Sequence, residues 1–238
     1  MRLTKRDFDR LGFSRIVGDE RVYYCPRCGS EDHRGHLFWN QITGAYFCYK
    51  CHLKGYTTDK KSDKIIPVID VDLEEAVLPQ DFAPIWQMDA NLHPLLVAFL
   101  IKKELDENTI YSRKLYFSCL RQAILIPVII NGITVAAQIR NLFEGEGKPK
   151  YYPLKETHPS RFLYNWDNAH DQHTVVITEG PFDVMRIGNH ALGLFGTTIT
   201  KYQLAWFQQV KAKNVTVFLD NNASMSALAV EAALTQFL

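Results

Sequence analysis

Two Cys-x-x-Cys pairs, Cys25-Pro-Arg-Cys28 and Cys48-Tyr-Lys-Cys51, stand 19 residues apart near the amino terminus, and they constrain this chain more than any other feature. Each pair presents two thiolates from one tight turn, and two such turns facing each other complete a tetrahedral four-sulfur zinc site. A module of about 55 residues has too little core to fold dependably alone, so the metal is expected to supply much of its folding free energy. Between the pairs, Leu37-Phe38-Trp39 and Ala45-Tyr46-Phe47 read as strands joined through Asn40 to Gly44, and the whole as a zinc ribbon. His33, His36 and His52 lie near the cysteines but are expected at the surface, since four thiolates already fill the site.

Arg27, Arg34, Lys50 and Lys54 interleave with Phe38, Trp39, Tyr46 and Tyr49. Such a mixture suits a phosphate backbone with stacked, unpaired bases. It equally suits a small aromatic core, because alternate strand residues face inward. Charge is unevenly spread: residues 1–64 carry a net +5, 65–110 a net −7 and 111–238 a net +3. The start MRLTKRDFDR has no apolar core of a signal peptide, and no apolar run approaches the roughly 20 residues of a membrane span. A soluble, cytoplasmic protein with no membrane partner is expected.

From Thr57 to Pro84 the composition turns to Lys, Asp and Pro and reads as a linker, with Ile65 to Ile69 as a candidate edge strand. Leu92 to Leu105 and Glu107 to Arg113 have helical spacing. Ala123 to Ile130 and Ile133 to Arg140 flank Asn131-Gly132, the signature of a tight hairpin. Arg140 at a strand end and Lys150 after the loop of Gly145, Gly147 and Pro149 can both reach a phosphate, or be ordinary surface residues.

The carboxyl-terminal third alternates strand and helix. Thr174 to Thr178 ends in Glu179-Gly180-Pro181-Phe182-Asp183; Ala191 to Phe195 ends in Gly196; Val215 to Leu219 ends in Asp220-Asn221-Asn222. This order predicts a parallel sheet with right-handed crossovers. Functional residues of such sheets collect at the carboxyl ends of the strands, where Glu179 and Asp220 stand. Two carboxylates held close invite Mg²⁺ or Mn²⁺. The alternative is that the acids cap the helices that follow.

Glu179-Gly180-Pro181-Phe182-Asp183 resembles the Glu-Gly-x-x-Asp element of the TOPRIM domain, in which an Asp-x-Asp element closes a later strand. Leu125-Ile126-Pro127-Val128, Gln138-Ile139-Arg140, Pro149-Lys150-Tyr151-Tyr152 and Phe162-Leu163-Tyr164-Asn165 stand in the order shown by bacterial and phage primases. The four-cysteine ribbon resembles that of phage primase-helicases more than the bacterial type, where a histidine replaces one cysteine. The similarity covers about residues 20–56 and 90–236.

The resemblance implies an α/β protein in four parts: a zinc ribbon over 1–57, a linker over 58–84, a mixed α+β subdomain over 85–170, and a truncated parallel-sheet TOPRIM domain over 171–238. It implies a DNA primase, a nucleotidyltransferase that makes short RNA primers from ribonucleoside triphosphates on a single-stranded DNA template, alongside a replicative helicase. Structural Zn²⁺ sits on Cys25, Cys28, Cys48 and Cys51. Catalytic Mg²⁺ or Mn²⁺ falls to Glu179, Asp183, Asp220 and position 222. Nucleotide or nucleic-acid contacts fall to Arg140, Lys150, Tyr151 and Arg161, and in the ribbon to Arg27, Arg34, Trp39 and Lys50. Position 222 is Asn where the pattern has Asp, so one anionic ligand is lost and an impaired enzyme is expected. The competing classes are a non-catalytic DNA-binding or helicase-recruiting module and other TOPRIM enzymes. No tyrosine-nucleophile domain argues for a topoisomerase, no helix-hairpin-helix for a recombination mediator, and no GxxxxGK[ST] loop for a helicase within the chain.

Overall fold

The computed structural model describes residues 3–17, 20–29, 35–40, 44–57, 73–88, 93–143, 147, 149–220, 223–235 and 237. Two compact units result: one of residues 1–68, 197–199 and 219–238, the other of residues 69–196 and 200–218.

In the first unit, helix α1 (Lys5–Arg10) precedes a five-stranded antiparallel sheet of β1 (Phe13–Val17), β2 (Glu20–Tyr23), β3 (Leu37–Asn40), β4 (Ala45–Cys48) and β5 (Lys54–Tyr56), ordered as in the chain. The predicted hairpin is its centre. Strand alternation then sorts the aromatics. Tyr23, Leu37, Trp39 and Tyr46 are buried with Phe8 of α1, whose ring stacks on Trp39 at 4.6 Å. Phe38, Phe47 and Tyr49 cluster by themselves, edge to face at 4.9 and 5.3 Å. Gly55 leaves room for the Tyr46 hydroxyl, which a Cβ there would meet at 2.5 Å, and that hydroxyl accepts from the Leu3 N–H. The unit also holds helix α7 (Ser224–Thr235), which packs against β4.

The second unit contains an antiparallel sheet and a parallel one. Helices α2 (Pro94–Lys102) and α3 (Glu107–Ser112) precede β7 (Tyr116–Ser118), β8 (Ala123–Ile130), β9 (Ile133–Asn141) and β10 (Tyr151–Pro153), with the short β6 (Ala83–Pro84) at the far edge; the order is β10-β9-β8-β7-β6. Helix α2 starts at Pro94, whose fixed φ suits the first helical position, and the Asp106 carboxylate caps α3 by accepting from the Thr109 N–H at 2.7 Å. Asn131 and Gly132 take φ of 52° and 78°, the left-handed pair that a primed hairpin turn requires. Strand β8 is apolar almost throughout and buried on both faces. Of the predicted linker, Ile65 to Ile69 lies outside the described residues, while residues 73–79 run without regular structure beside β9, where the Ala76 N–H donates to the Thr134 carbonyl at 2.7 Å.

After helix α4 (Trp166–Ala169) come β11 (Thr174–Thr178), α5 (Pro181–Ile187), β12 (Ala191–Gly193), α6 (Lys201–Phe207) and β13 (Asn214–Phe218). The sheet is parallel, as expected, in the order β12-β11-β13. Gly193 matters here because a Cβ would lie 3.2 Å from both Tyr164 Cβ and Val184 Cγ2. Its absence lets β12 close against α5. No helix among the described residues is long and apolar enough to cross a membrane.

Candidate functional site

The four cysteine sulfurs lie within 4.8 Å of one another. Cys25 and Cys51 are 3.6 Å apart and Cys28 and Cys48 3.5 Å. Four thiolates about 2.3 Å from one tetrahedral zinc stand about 3.8 Å from each other, so the cluster fits that ion and is far wider than a disulfide. Local turns shape it. The Cys28 N–H donates to the Cys25 carbonyl at 3.1 Å with Gly29 left-handed at φ 80°, and the His52 N–H donates to the Cys48 carbonyl at 2.9 Å with φ 57°. Burial pushes the Cys25 and Cys28 thiols up. Burial also acts to raise Cys51, but hydrogen bonding from the Leu53 backbone and the other three cysteines outweighs it and brings the thiol down to about 7. A metal that requires thiolates therefore displaces protons as it binds.

Arg27 and Lys50 sit inside the two turns and are exposed, one cation beside each cysteine pair. Arg34 lies outside the described residues. Trp39 departs from expectation: it is 3% exposed, with its ring stacked on Phe8, so it builds the core rather than a base-stacking surface. Alternation along β3 is the cause, and it turns the neighbouring Phe38 the other way. Phe38, Phe47, Tyr49 and Lys54 instead line a cavity of about 380 Å³ whose other wall is Leu228 and Ala229 of α7.

In the second unit, β11 and β13 end level, Thr178 opposite Phe218. Glu179 follows β11 directly and is half-buried. Its backbone carbonyl accepts from the Gly196 N–H at 3.0 Å, while the Leu194 N–H reaches Thr178. Phe195, between those donors, takes φ 63°, a left-handed conformation that costs a bulky residue about 1–3 kcal/mol. Strain thus sits at the strand end that carries Glu179. The Asp183 carboxylate accepts from the Gly180 N–H at 3.2 Å and caps α5. Asp220, two residues beyond β13 in sequence, belongs to the first unit and is exposed. Asn222 lies outside the described residues.

Asp183 has company that the sequence did not announce. Lys103, at the end of α2, is half-buried, and its pKa is lowered first by burial; Asp183 opposes that shift, and Lys150, Arg140 and Arg186 add to it. Lys103 therefore lies in the field of three other cations and one carboxylate, with Arg186 also paired to Glu104 at 2.7 Å. Aromatic rings hold them in place. The Lys103 ammonium is 5.5 Å from the Phe182 centroid, and the Arg140 guanidinium is 4.9 Å from Tyr151 and 5.7 Å from Phe99. Arg140 is buried and donates to the Lys150 carbonyl at 3.3 Å, whereas Lys150 is exposed. Crowding like charges is unfavourable without counter-anions, which Asp183 and Glu104 supply in part. Arg161 is elsewhere, over Tyr202 at 5.1 Å.

No protein-family model and no curated protein matches the chain. Solved structures similar to it include primases. The DnaG catalytic core matches at 17% identity over 58% of this chain and 59% of that one, TM-score 0.47. The zinc-binding and RNA polymerase domains of Aquifex aeolicus primase match at 15% over 96% and 73%, TM-score 0.43. The primase fragment of the bacteriophage T7 primase-helicase matches at 14% over 90% and 84%, TM-score 0.44. The chain spans about 59% of the length of the DnaG catalytic core that it matches.

Proposed function

We infer that this chain is the TOPRIM-type primase that its motifs resemble. The observation that carries the reading is the position of Lys103 among Arg140, Lys150, Arg186 and Asp183, with Lys103 and Arg140 set against the touching rings of Phe182 and Phe99; Asp183 stands four residues after Glu179, which follows a parallel strand. The cations suit the triphosphate of an incoming ribonucleotide or the template backbone. On the motif resemblance alone, Glu179, Asp183 and Asp220 are assigned to Mg²⁺ or Mn²⁺, which would activate the attacking 3′-hydroxyl and stabilise the departing pyrophosphate. Arg140 orients Tyr151 and the Lys150 backbone, and Lys150 and Lys103 meet phosphate. In the ribbon, Arg27, Lys50 and the Phe38–Tyr49 cluster are assigned to single-stranded DNA. A replicative helicase is the expected partner.

The test is synthesis of labelled short RNA on a mixed-sequence single-stranded template with Mg²⁺ or Mn²⁺. Restoring a charge by Asn222→Asp is expected to raise synthesis on the order of tenfold or more, since an amide oxygen binds the ion without neutralising it. If neither form makes RNA while both bind the template, the chain is a non-catalytic DNA-binding module, the reading that Asn222 itself favours.

Lys103→Met separates function from folding. It is expected to raise the KM for ribonucleotides about tenfold, the loss of one charged phosphate contact. The same change leaves the melting temperature equal or higher, because the folded protein disfavours charge at this position. A KM that stays put removes Lys103 from the site.

A further inference from the structure

Gln203, in the first turn of α6, is a fully buried polar side chain. One of its roles is a helix cap. The amide oxygen accepts from the Thr200 N–H at 2.9 Å, and the Thr200 hydroxyl accepts from the Gln203 N–H at 3.2 Å. A glutamate would complete this reciprocal pair equally well. What a glutamate lacks is the amide nitrogen, which donates to two buried carbonyls, Leu194 at 2.7 Å and Phe162 at 2.9 Å. Carbonyls only accept and the Thr200 N–H only donates, so the three partners fix which way the amide faces.

The bond to Leu194 reaches the strand end that carries Glu179. The torsions of Phe195 relate two peptide planes, that of the Leu194 carbonyl before it and that of the Gly196 N–H after it. Gln203 holds the first plane, and the Glu179 carbonyl holds the second by accepting from Gly196 at 3.0 Å. One residue earlier, the Leu194 N–H donates to the Thr178 carbonyl at 3.0 Å. A left-handed phenylalanine, here at φ 63°, persists only where its surroundings over-determine it. These bonds do so.

We propose that Gln203 is a positioning residue for Glu179: by holding the Leu194 carbonyl, it keeps Phe195 left-handed and the Gly196 N–H on the Glu179 carbonyl. The proposal rests on the reading of Glu179 as a group that acts in primer synthesis. Without Gln203, Phe195 relaxes toward ordinary backbone, the Gly196 bond opens and the strand end loosens.

The experiment compares the full chain with Gln203→Met, which removes the amide bonds, and with Thr200→Ala, which weakens the α6 cap but spares the bond to Leu194. Amide hydrogen exchange and the kinetics of primer synthesis are read below the melting point of every form. Gln203→Met is expected to speed exchange of the Gly196 N–H about tenfold or more. It is also expected to lower kcat about tenfold while KM for ribonucleotides stays within about twofold. Thr200→Ala is expected to do little of either. Adding Phe195→Asn to Gln203→Met is expected to restore part of both, since Asn enters the left-handed region more readily. If Gln203→Met does not fold, Gln203→Glu, which keeps the capping oxygen, takes its place with the same expectations. Unchanged Gly196 exchange, or equal acceleration in Thr200→Ala, would overturn the proposal, as would faster exchange with kcat unaltered. If the unaltered chain makes no RNA, the reading of Glu179 falls, and Gly196 exchange still decides whether Gln203 holds the turn.

Discussion

Removing zinc from the four-cysteine centre, by a chelator or by Cys28→Ser, is expected to unfold the amino-terminal sheet while the sheets of the second unit persist. The sheet's core is one layer of side chains, with Phe8, Tyr23, Leu37, Trp39 and Tyr46 its largest members. Two of its buried residues, Cys25 and Cys48, belong to the cysteine cluster itself. Sites of this kind bind zinc with an apparent free energy on the order of 10 kcal/mol, comparable to the whole stability of a domain. Trp39 is the reporter. The other tryptophans, at 86, 166 and 206, lie in the second unit, so a red shift and new acrylamide access confined to Trp39 would follow metal loss, best read with Trp39 as the single tryptophan. Zinc content should be one ion per chain. Affinity should fall as pH is lowered, because zinc takes thiolates and burial holds the Cys25 and Cys28 thiols above their usual range. A chelated protein with Trp39 still shielded would refute the structural role of the metal.

The second large effect is at Glu179. Glu179→Gln keeps the size of the side chain and removes its charge, and is expected to lower primer synthesis by about 10³, equivalent to about 4 kcal/mol of transition-state stabilisation. Binding of single-stranded DNA should change less than about twofold, since the cations around Lys103 and in the ribbon are untouched. Asp183→Asn is the useful contrast. Asp183 caps α5 through the Gly180 N–H, so that variant is expected to lose about 1 kcal/mol of stability as well as activity. If Glu179→Gln synthesises RNA at the parental rate, the assignment of metal to this strand end is wrong.

Local chemistry made several features readable before any coordinates. The Cys-x-x-Cys pairs, the Asn131-Gly132 turn and the β-branched run ending at Thr178 each depend on neighbours in sequence: a knuckle, a left-handed pair, an alternation of strand and helix. These became the clustered sulfurs, the β8–β9 hairpin and the parallel sheet. The strands β1, β2 and β5 were not legible, because short, mixed segments gain strand character only by pairing with the hairpin beside them.

The candidate site divides in the same way. Glu179 and Asp183 were visible because they follow a strand within five residues. Lys103 and Arg186 were not, because nothing in a helix-ending lysine distinguishes it from a solvated one until packing brings α2 to α5. Trp39 shows the converse. Its composition suits stacking on bases, but the face of β3 on which it lies is settled by where α1 and Phe8 cover the sheet. Sequence alone therefore determined the cysteine cluster, turns and strand ends of this protein, since backbone preference and metal chemistry act over a few residues. Only the tertiary structure decided which charges meet and which aromatics remain at the surface, because burial and Coulomb interaction depend on distance in space.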